Sequence, residues 1–182
     1  EFGKGKMSSP KQILSFLEKY FTNKDFFKKK KINAVVTSGP TREYLDPVRY
    51  ITNESSGKQG YEIALALNRL GINTTLITGP SNITYNKQIK TKKIVTAEEM
   101  LEEVKRALPA DMAICAAAVS DFKPVKRSKK KLKKDKNEFT SVEFEKNMDI
   151  VEFIAKNNRY RPKLVVGFSA ETENLNKNAL SK

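Results

Sequence analysis

The strongest constraint on this chain is a set of short apolar runs, rich in β-branched or small residues, each closed by glycine, proline or a polar turn. INAVVTSG (32–39), NTTLITGP (73–80), DMAICAAAVSD (111–121) and KLVVGFSAE (163–171) are of this kind. Runs of strand length that stay apolar at consecutive positions are typical of strands covered on both faces. Between them the spacing turns helical. GYEIALALNRLG (60–71) places Ile63, Leu67 and Leu70 on one face and stops at Gly71. TAEEMLEEVKRAL (96–108) opens on a Thr96–Glu99 capping box, and NMDIVEFIAKNN (147–158) and the terminal ENLNKNALSK also predict helices. IKTKKIV (89–95) is a weaker strand, and EFTSVEFE (138–145) alternates as a strand does.

Strands alternating with helices predict an α/β fold of Rossmann-like type, a mostly parallel sheet with helices on both faces. No internal repeat interrupts the pattern. In such sheets ligands lie beyond the carboxyl ends of the strands. Four such ends define the candidate site: TSGPTRE, TGPSN, AAAVSD and GFSAET. Residues 1–31 stand apart as a junction segment with one helix. There SSPKQILSFLEKYF offers a capping Ser, an early Pro, and Ile13, Leu14, Leu17, Tyr20 and Phe21 at helical spacing.

Composition removes several classes of chemistry. The 182 residues contain no histidine, which excludes Ser-His-Asp and Cys-His nucleophile systems and the usual His-containing zinc sites. Catalysis would have to use positioning, positive charge, amide donors, or a metal ion carried largely on substrate phosphates. A single cysteine, Cys115, rules out an intrachain disulfide framework and suits a reducing cytosol. It lies in an apolar strand, where a buried, inert thiol is expected. No apolar run approaches the roughly 18 residues of a membrane span, and no secretory leader is visible. The expectation is a cytoplasmic protein with no membrane partner.

The net charge of +14 invites a nucleic-acid reading, but its distribution weakens it. Residues 123–136 (KPVKRSKKKLKKDK) hold nine basic residues against one Asp. Such a segment is a nucleic-acid arm, a solvated loop, or a flap that closes on a polyphosphate. Aromatic residues interleaved with the charges would favour nucleic acid, and only Phe122 is near.

The turn SSGKQG (55–60) raises the central question. It is neither a Walker A loop nor a dinucleotide fingerprint, since it lacks the required glycines and the hydroxyl after the lysine. Its glycines, hydroxyls and following helix start still suit an anion. A plain capped helix start, with Gly60 needed for helix–sheet contact, fits the spacing equally well. Arg49 can clamp a carboxylate or phosphate, or make a surface salt bridge. Asn53 can donate to a ligand or form an Asx turn. Asp121 can bind ribose hydroxyls or cap a loop, and Phe168 can stack on a base or end the core of its strand.

The ordered blocks SGPTREYLDPVRYITNESSGKQG, CAAAVSDFKP, KLKK, KNMDI and VVGFSAET resemble the bacterial phosphopantothenate–cysteine ligases of coenzyme A biosynthesis, from about Ile32 onward. The resemblance implies an acyl-cytidylate route. The carboxylate of 4′-phosphopantothenate attacks the α-phosphate of CTP with Mg²⁺, and the amine of L-cysteine then displaces CMP. By motif, Gly39, Ser55, Gly57 and Gly60 match the nucleotide-phosphate cradle, and Asn53 the residue at the acyl-phosphate centre. Arg49 matches the recogniser of phosphopantothenate across a dimer interface. Cys115, Ala116, Ala117, Ala118 and Asp121 match the strand end that touches nucleotide and substrate. Lys131 matches the flap lysine, Asn147, Met148, Asp149, Ile150 and Phe168 the base pocket, and Lys182 a later nucleotide-binding lysine. Asn53, Lys131 and Arg49 are the catalytic candidates.

The chain departs from the family in having Asn147-Met148-Asp149 for the usual Asn-Pro-Asp, and in extra flap lysines at 126, 129 and 130. The resemblance further implies a homodimer, a ligase domain over 32–182 that continues beyond Lys182, and a junction over 1–31 to a flavin-dependent decarboxylase that alone would hold FMN. Two other readings stand beside it. One is a nucleotide- or RNA-binding module without turnover. The other is a regulatory subunit that keeps the fold.

Overall fold

The computed structural model describes residues 8–20, 31–133 and 141–170. The elements are α1 (Pro10–Tyr20), β1 (Asn33–Ser38), β2 (Arg42–Tyr44), β3 (Tyr50–Thr52), α2 (Lys58–Arg69), β4 (Asn73–Thr78), β5 (Lys90–Lys93), α3 (Ala97–Ala107), β6 (Met112–Cys115), β7 (Phe122–Pro124), β8 (Phe144–Lys146), α4 (Ile150–Ala155) and β9 (Leu164–Gly167).

Five strands form one parallel sheet in the order β5-β4-β1-β6-β9. The parallel sheet is the Rossmann-like one expected from the alternation, and in the observed order the chain reverses direction across the sheet between β1 and β6. Both faces are covered. Ala34 and Val36 of β1 pack with Ile63, Leu67, Leu76 and Ile114 on the α2 side. Val35 packs with Ile77, Met100, Val104, Ala113 and Ile154 on the α3 and α4 side. Side chains alternate across a strand, so a continuous apolar run must feed two cores. Each fully buried aliphatic residue contributes about 1.5–3 kcal/mol.

The Thr96–Glu99 capping box is formed as expected. In α2 the buried set is Gly60, Ile63, Ala64 and Leu67; Leu70, expected on that face, is the C-cap and is 40% exposed. Ile13 and Leu17 of α1 pack onto α2, so the junction segment contributes two side chains to the core.

Several boundaries differ from the sequence reading. The run 111–121 is a strand only to Cys115; beyond it the backbone bonds crosswise to the loop after β1, with Ala118 N–H donating to Gly39 O at 2.9 Å. The helix expected over 147–158 spans Ile150–Ala155, because the Asp149 carboxylate accepts the Glu152 N–H and fixes its start. Of the strand expected over 138–145, residues 138–140 lie outside the described residues; β8 pairs antiparallel with β7, which the sequence reading did not contain. The β2–β3 hairpin was also not foreseen, since three-residue strands are too short for periodicity to register. Residues 1–7, 21–30 and the expected helix over 173–182 lie outside the described residues.

Candidate functional site

The sheet reverses between β1 and β6, and the loops leaving these two strands meet there. Pro40 and Ala118 form a parallel bridge, Ala116 N–H donates to Thr37 O at 3.1 Å, and Ser120 N–H donates to Thr41 Oγ1 at 3.0 Å. This seam is the floor of the site.

The turn into α2 lies above it. Gly39 and Gly57 both have left-handed backbones, φ 71° and 72°, and a Cβ on Gly57 would sit 3.2 Å from the Gly39 Cα. Ser38 Oγ donates to Gly57 O at 2.7 Å and ties the turn to the end of β1. No side chain caps α2 at Gly57. Ser55 Oγ accepts the Gly57 N–H and Ser56 Oγ the Lys58 N–H, both at 3.3 Å. A helix start of this form presents amides and a positive dipole end to an anion. Gln59 Nε2 is buried there without a hydrogen-bond partner among the described residues. Gly60 has a packing role as well, because a Cβ on it would lie 2.6 Å from the Ser38 Cβ.

Asn53 connects the two sides. Its Nδ2 donates to Val119 O at 2.9 Å, joining the cradle turn to the loop after β6. On one side opens a cleft of about 590 Å³, lined by Asn53, Ser55, Arg42, Lys58, Tyr61 and Ser81 among others. The sequence reading did not single out Arg42, Lys58, Tyr61 or Ser81. Arg42 and Ser81 lie at two of the marked strand ends, and Lys58 and Tyr61 lie at the start of α2.

On the other side Asn147 folds back onto the β6 loop, its N–H donating to Asp121 O and its Nδ2 to Ser120 O, both at 2.8 Å. Asp121 is exposed, and Ala116, Ala117 and Ala118 are half-buried. Met148 stands 59% exposed. Asp149 caps α4, and Ile150 is buried in the core on the α3 and α4 side, whereas Phe168 packs partly buried against the core on the α2 side. The structure therefore brings Asp121 and Asn147 together and places Ile150 and Phe168 against opposite faces of the sheet. Lys182 lies outside the described residues.

Cys115 is buried, and burial first, then the Asp149 charge, push its thiol up to about 12, against a bond to Thr37 that lowers it. This is the buried thiol expected of a strand position.

Arg49 is engaged within the chain. Its Nε and one terminal nitrogen donate to Asp46 Oδ2 at 2.9 and 2.6 Å, and the same nitrogen donates to Leu132 O at 2.7 Å. Asp46 is fully buried, which by itself would raise its carboxyl. The Arg49 guanidinium and the backbone N–H groups of Val48, Leu132 and Arg49 outweigh burial and hold it well below the usual carboxylate range. Lys131 is exposed, next to the held Leu132.

Residues 29–182 match the family model of the DNA/pantothenate metabolism flavoprotein C-terminal domain. The chain belongs to this family. Among its relatives, the coenzyme A biosynthesis bifunctional protein CoaBC of Haemophilus influenzae is 39% identical over 183 residues, covering 100% of this chain and 45% of that protein. Its namesake in Escherichia coli is 37% identical with the same coverage. The chain thus spans less than half the length of these relatives. A crystal structure of the C-terminal domain of such a bifunctional protein superposes with a TM-score of 0.71 at 34% identity, covering 83% of this chain and 70% of that one. Among the described residues, no helix is long and apolar enough to cross a membrane.

Proposed function

We propose that this chain is the domain that ligates 4′-phosphopantothenate to L-cysteine at the expense of CTP, in coenzyme A biosynthesis. The observation that carries the reading is the Asn53–Val119 bond. It joins an anion cradle to a small-residue strand end at the sheet's reversal, in a family whose bifunctional members are named for this pathway.

In the first step a carboxylate oxygen of phosphopantothenate bonds to the α-phosphorus of CTP, and the bond to the β-phosphate oxygen breaks with release of pyrophosphate. In the second, the cysteine amine attacks the acyl carbon, loses a proton, and CMP leaves with the electron pair of the broken C–O bond. Displacement at phosphorus depends chiefly on alignment and charge neutralisation, so a chain without histidine suffices. The amides at the start of α2, with Gly39, Ser55, Gly57 and Gly60, hold phosphates. Asn53 donates at the acyl-phosphate centre, and Lys131 brings positive charge over the triphosphate. Ala116, Ala117 and Ala118 let a flat or extended group lie against backbone, while Asp121 and Asn147 border the nucleoside. Arg49 recognises phosphopantothenate in a homodimer.

No group of three or more His, Cys, Asp or Glu side chains with metal-binding geometry occurs among the described residues. Mg²⁺ would enter with the nucleotide and would supply positive charge at the phosphates that the start of α2 would hold. Residues 32–182 are the ligase domain, cytoplasmic, and residues 1–31 lead from a flavin-dependent decarboxylase that alone holds FMN.

Pyrophosphate release by the full protein tests this reading. It should require CTP and phosphopantothenate together. Equal rates with ATP would remove the CTP assignment, and no release with any nucleotide would remove the ligase reading. A thermal-shift panel of CTP, ATP, GTP and UTP with Mg²⁺ should show selective stabilisation by CTP.

A further inference from the structure

The turn between β2 and β3 is bonded to a segment more than eighty residues away. Asp46 Oδ1 accepts the Val48 and Arg49 N–H groups at 2.8 and 2.9 Å, which shapes the turn. Its Oδ2 faces outward from that turn and accepts both the Arg49 side chain and, at 3.2 Å, the Leu132 N–H. Arg49 in turn donates to Leu132 O. Both backbone groups of one residue in the basic segment are thus held by a single ion pair. A second tie lies four residues earlier, where Ser128 N–H donates to Leu45 O at 2.9 Å.

We propose that Asp46 is a positioning residue, clasping Leu132 together with Arg49 so that the neighbouring Lys131 is presented over the strand ends. This rests on the reading of Lys131 as the lysine that meets the triphosphate. A lysine-rich loop repels itself and orders poorly. Two charge-assisted bonds to the backbone on either side of one residue fix its path without using any lysine side chain. The clasp also gives Arg49 two tasks, holding the flap and meeting the acid substrate, and so links the two halves of the site.

Amide hydrogen exchange of Leu132 in the full protein tests the clasp directly. The wild-type amide should be protected. In Asp46→Asn the carbonyl oxygen can still serve the turn, but the amide nitrogen cannot accept from Arg49 or Leu132. Leu132 exchange should then accelerate by about 10- to 100-fold, the loss expected for a hydrogen bond to a charged group, while β1 amides keep their protection. The positioning role is read from steady-state kinetics. Asp46→Asn should raise KM for the nucleotide and leave KM for cysteine unchanged. Leu132→Pro, which removes the flap's donor without touching the turn, should do the same.

An unprotected wild-type Leu132 amide would overturn the proposal. So would unchanged exchange in Asp46→Asn, or KM values for nucleotide and cysteine that move together. If Asp46→Asn fails to fold, wild-type exchange and Leu132→Pro decide. If the wild type turns over no nucleotide, the ligase reading falls, while Leu132 exchange still decides the clasp.

Discussion

Gly60→Ala separates local propensity from tertiary contact, because the two predict opposite signs. Gly60 lies in the first turn of α2 with no left-handed backbone, so alanine is conformationally allowed and by propensity alone would stabilise the helix by about 0.5–1 kcal/mol. The added Cβ, however, would meet the Ser38 Cβ at 2.6 Å, its Oγ at 2.7 Å and Thr37 O at 2.9 Å. Carbon atoms rest at about 3.5–4 Å, so the helix must retreat by about 1 Å from the end of β1. Ser38 is fully buried and cannot swing away. Overpacking of this kind costs about 1–3 kcal/mol, and stretching the Ser38–Gly57 bond about 1 kcal/mol more. After the propensity gain the net loss is about 2 kcal/mol, a fall in melting temperature of about 4–8 °C for a chain of this size. Thermal unfolding followed by circular dichroism reads the stability. Calorimetric titration with CTP and Mg²⁺ should show weaker binding, because the same retreat opens the cradle. A Gly60→Ala protein that melts higher than wild type, or binds CTP with unchanged affinity, would refute the reasoning.

Other glycines should rank by what surrounds them. Gly79→Ala would drive a Cβ to 1.7 Å from Pro40 O and should cost more than Gly60→Ala, while Gly71→Ala meets nothing within 4 Å and should cost only the left-handed strain of about 1–2 kcal/mol, all read from melting temperatures. Cys115 should resist Ellman's reagent at pH 8 in the native protein and react once unfolded; native reaction at the rate of a free thiol would contradict its burial. The Asp46 carboxyl is held well below the usual carboxylate range in the folded state. Its contribution is therefore fully present above that range, starts to fall below it, and is gone only once pH reaches the still lower folded-state value. The gap in urea midpoint between wild type and Asp46→Asn should be widest at pH 7 and start to shrink only below about pH 4, closing further as pH falls, and a gap independent of pH would refute the assignment. Asn53→Ala should cost no more than about 1 kcal/mol of stability, yet slow amide formation with cysteine more than pyrophosphate release. Equal slowing of both steps would remove Asn53 from the second half-reaction.

The parallel sheet was legible because INAVVTSG and its counterparts carry consecutive apolar, β-branched or small residues without a strict alternation and end at turn residues, as strands buried on both faces do. Thr96 and Glu99 announced their helix because a capping box is a local device, complete within four residues. The three-residue strands at Arg42–Tyr44, Tyr50–Thr52 and Phe122–Pro124 gave no such signal; they are strands only because a partner segment meets them. At the site, the residue types of SSGKQG left an anion cradle and a packed helix start equally open. The structure assigns Gly57 to the close approach with Gly39 and Gly60 to the contact with Ser38, so the helix–sheet contact is formed at Gly60, and CTP binding is what tests the cradle.

The sequence by itself determined the order of strands and helices, the small and glycine residues at the strand ends, and the absence of histidine chemistry. These are properties of neighbours in the chain, decided by periodicity and residue type. Only the tertiary structure decided that Asn53 reaches Val119, that Asn147 folds onto Asp121, and that Asp46 and Arg49 hold Leu132. Each of these contacts joins residues 26 to 86 positions apart, through hydrogen bonds only a few ångströms long. No local pattern encodes such a meeting, because it exists only once the sheet has set the loops side by side.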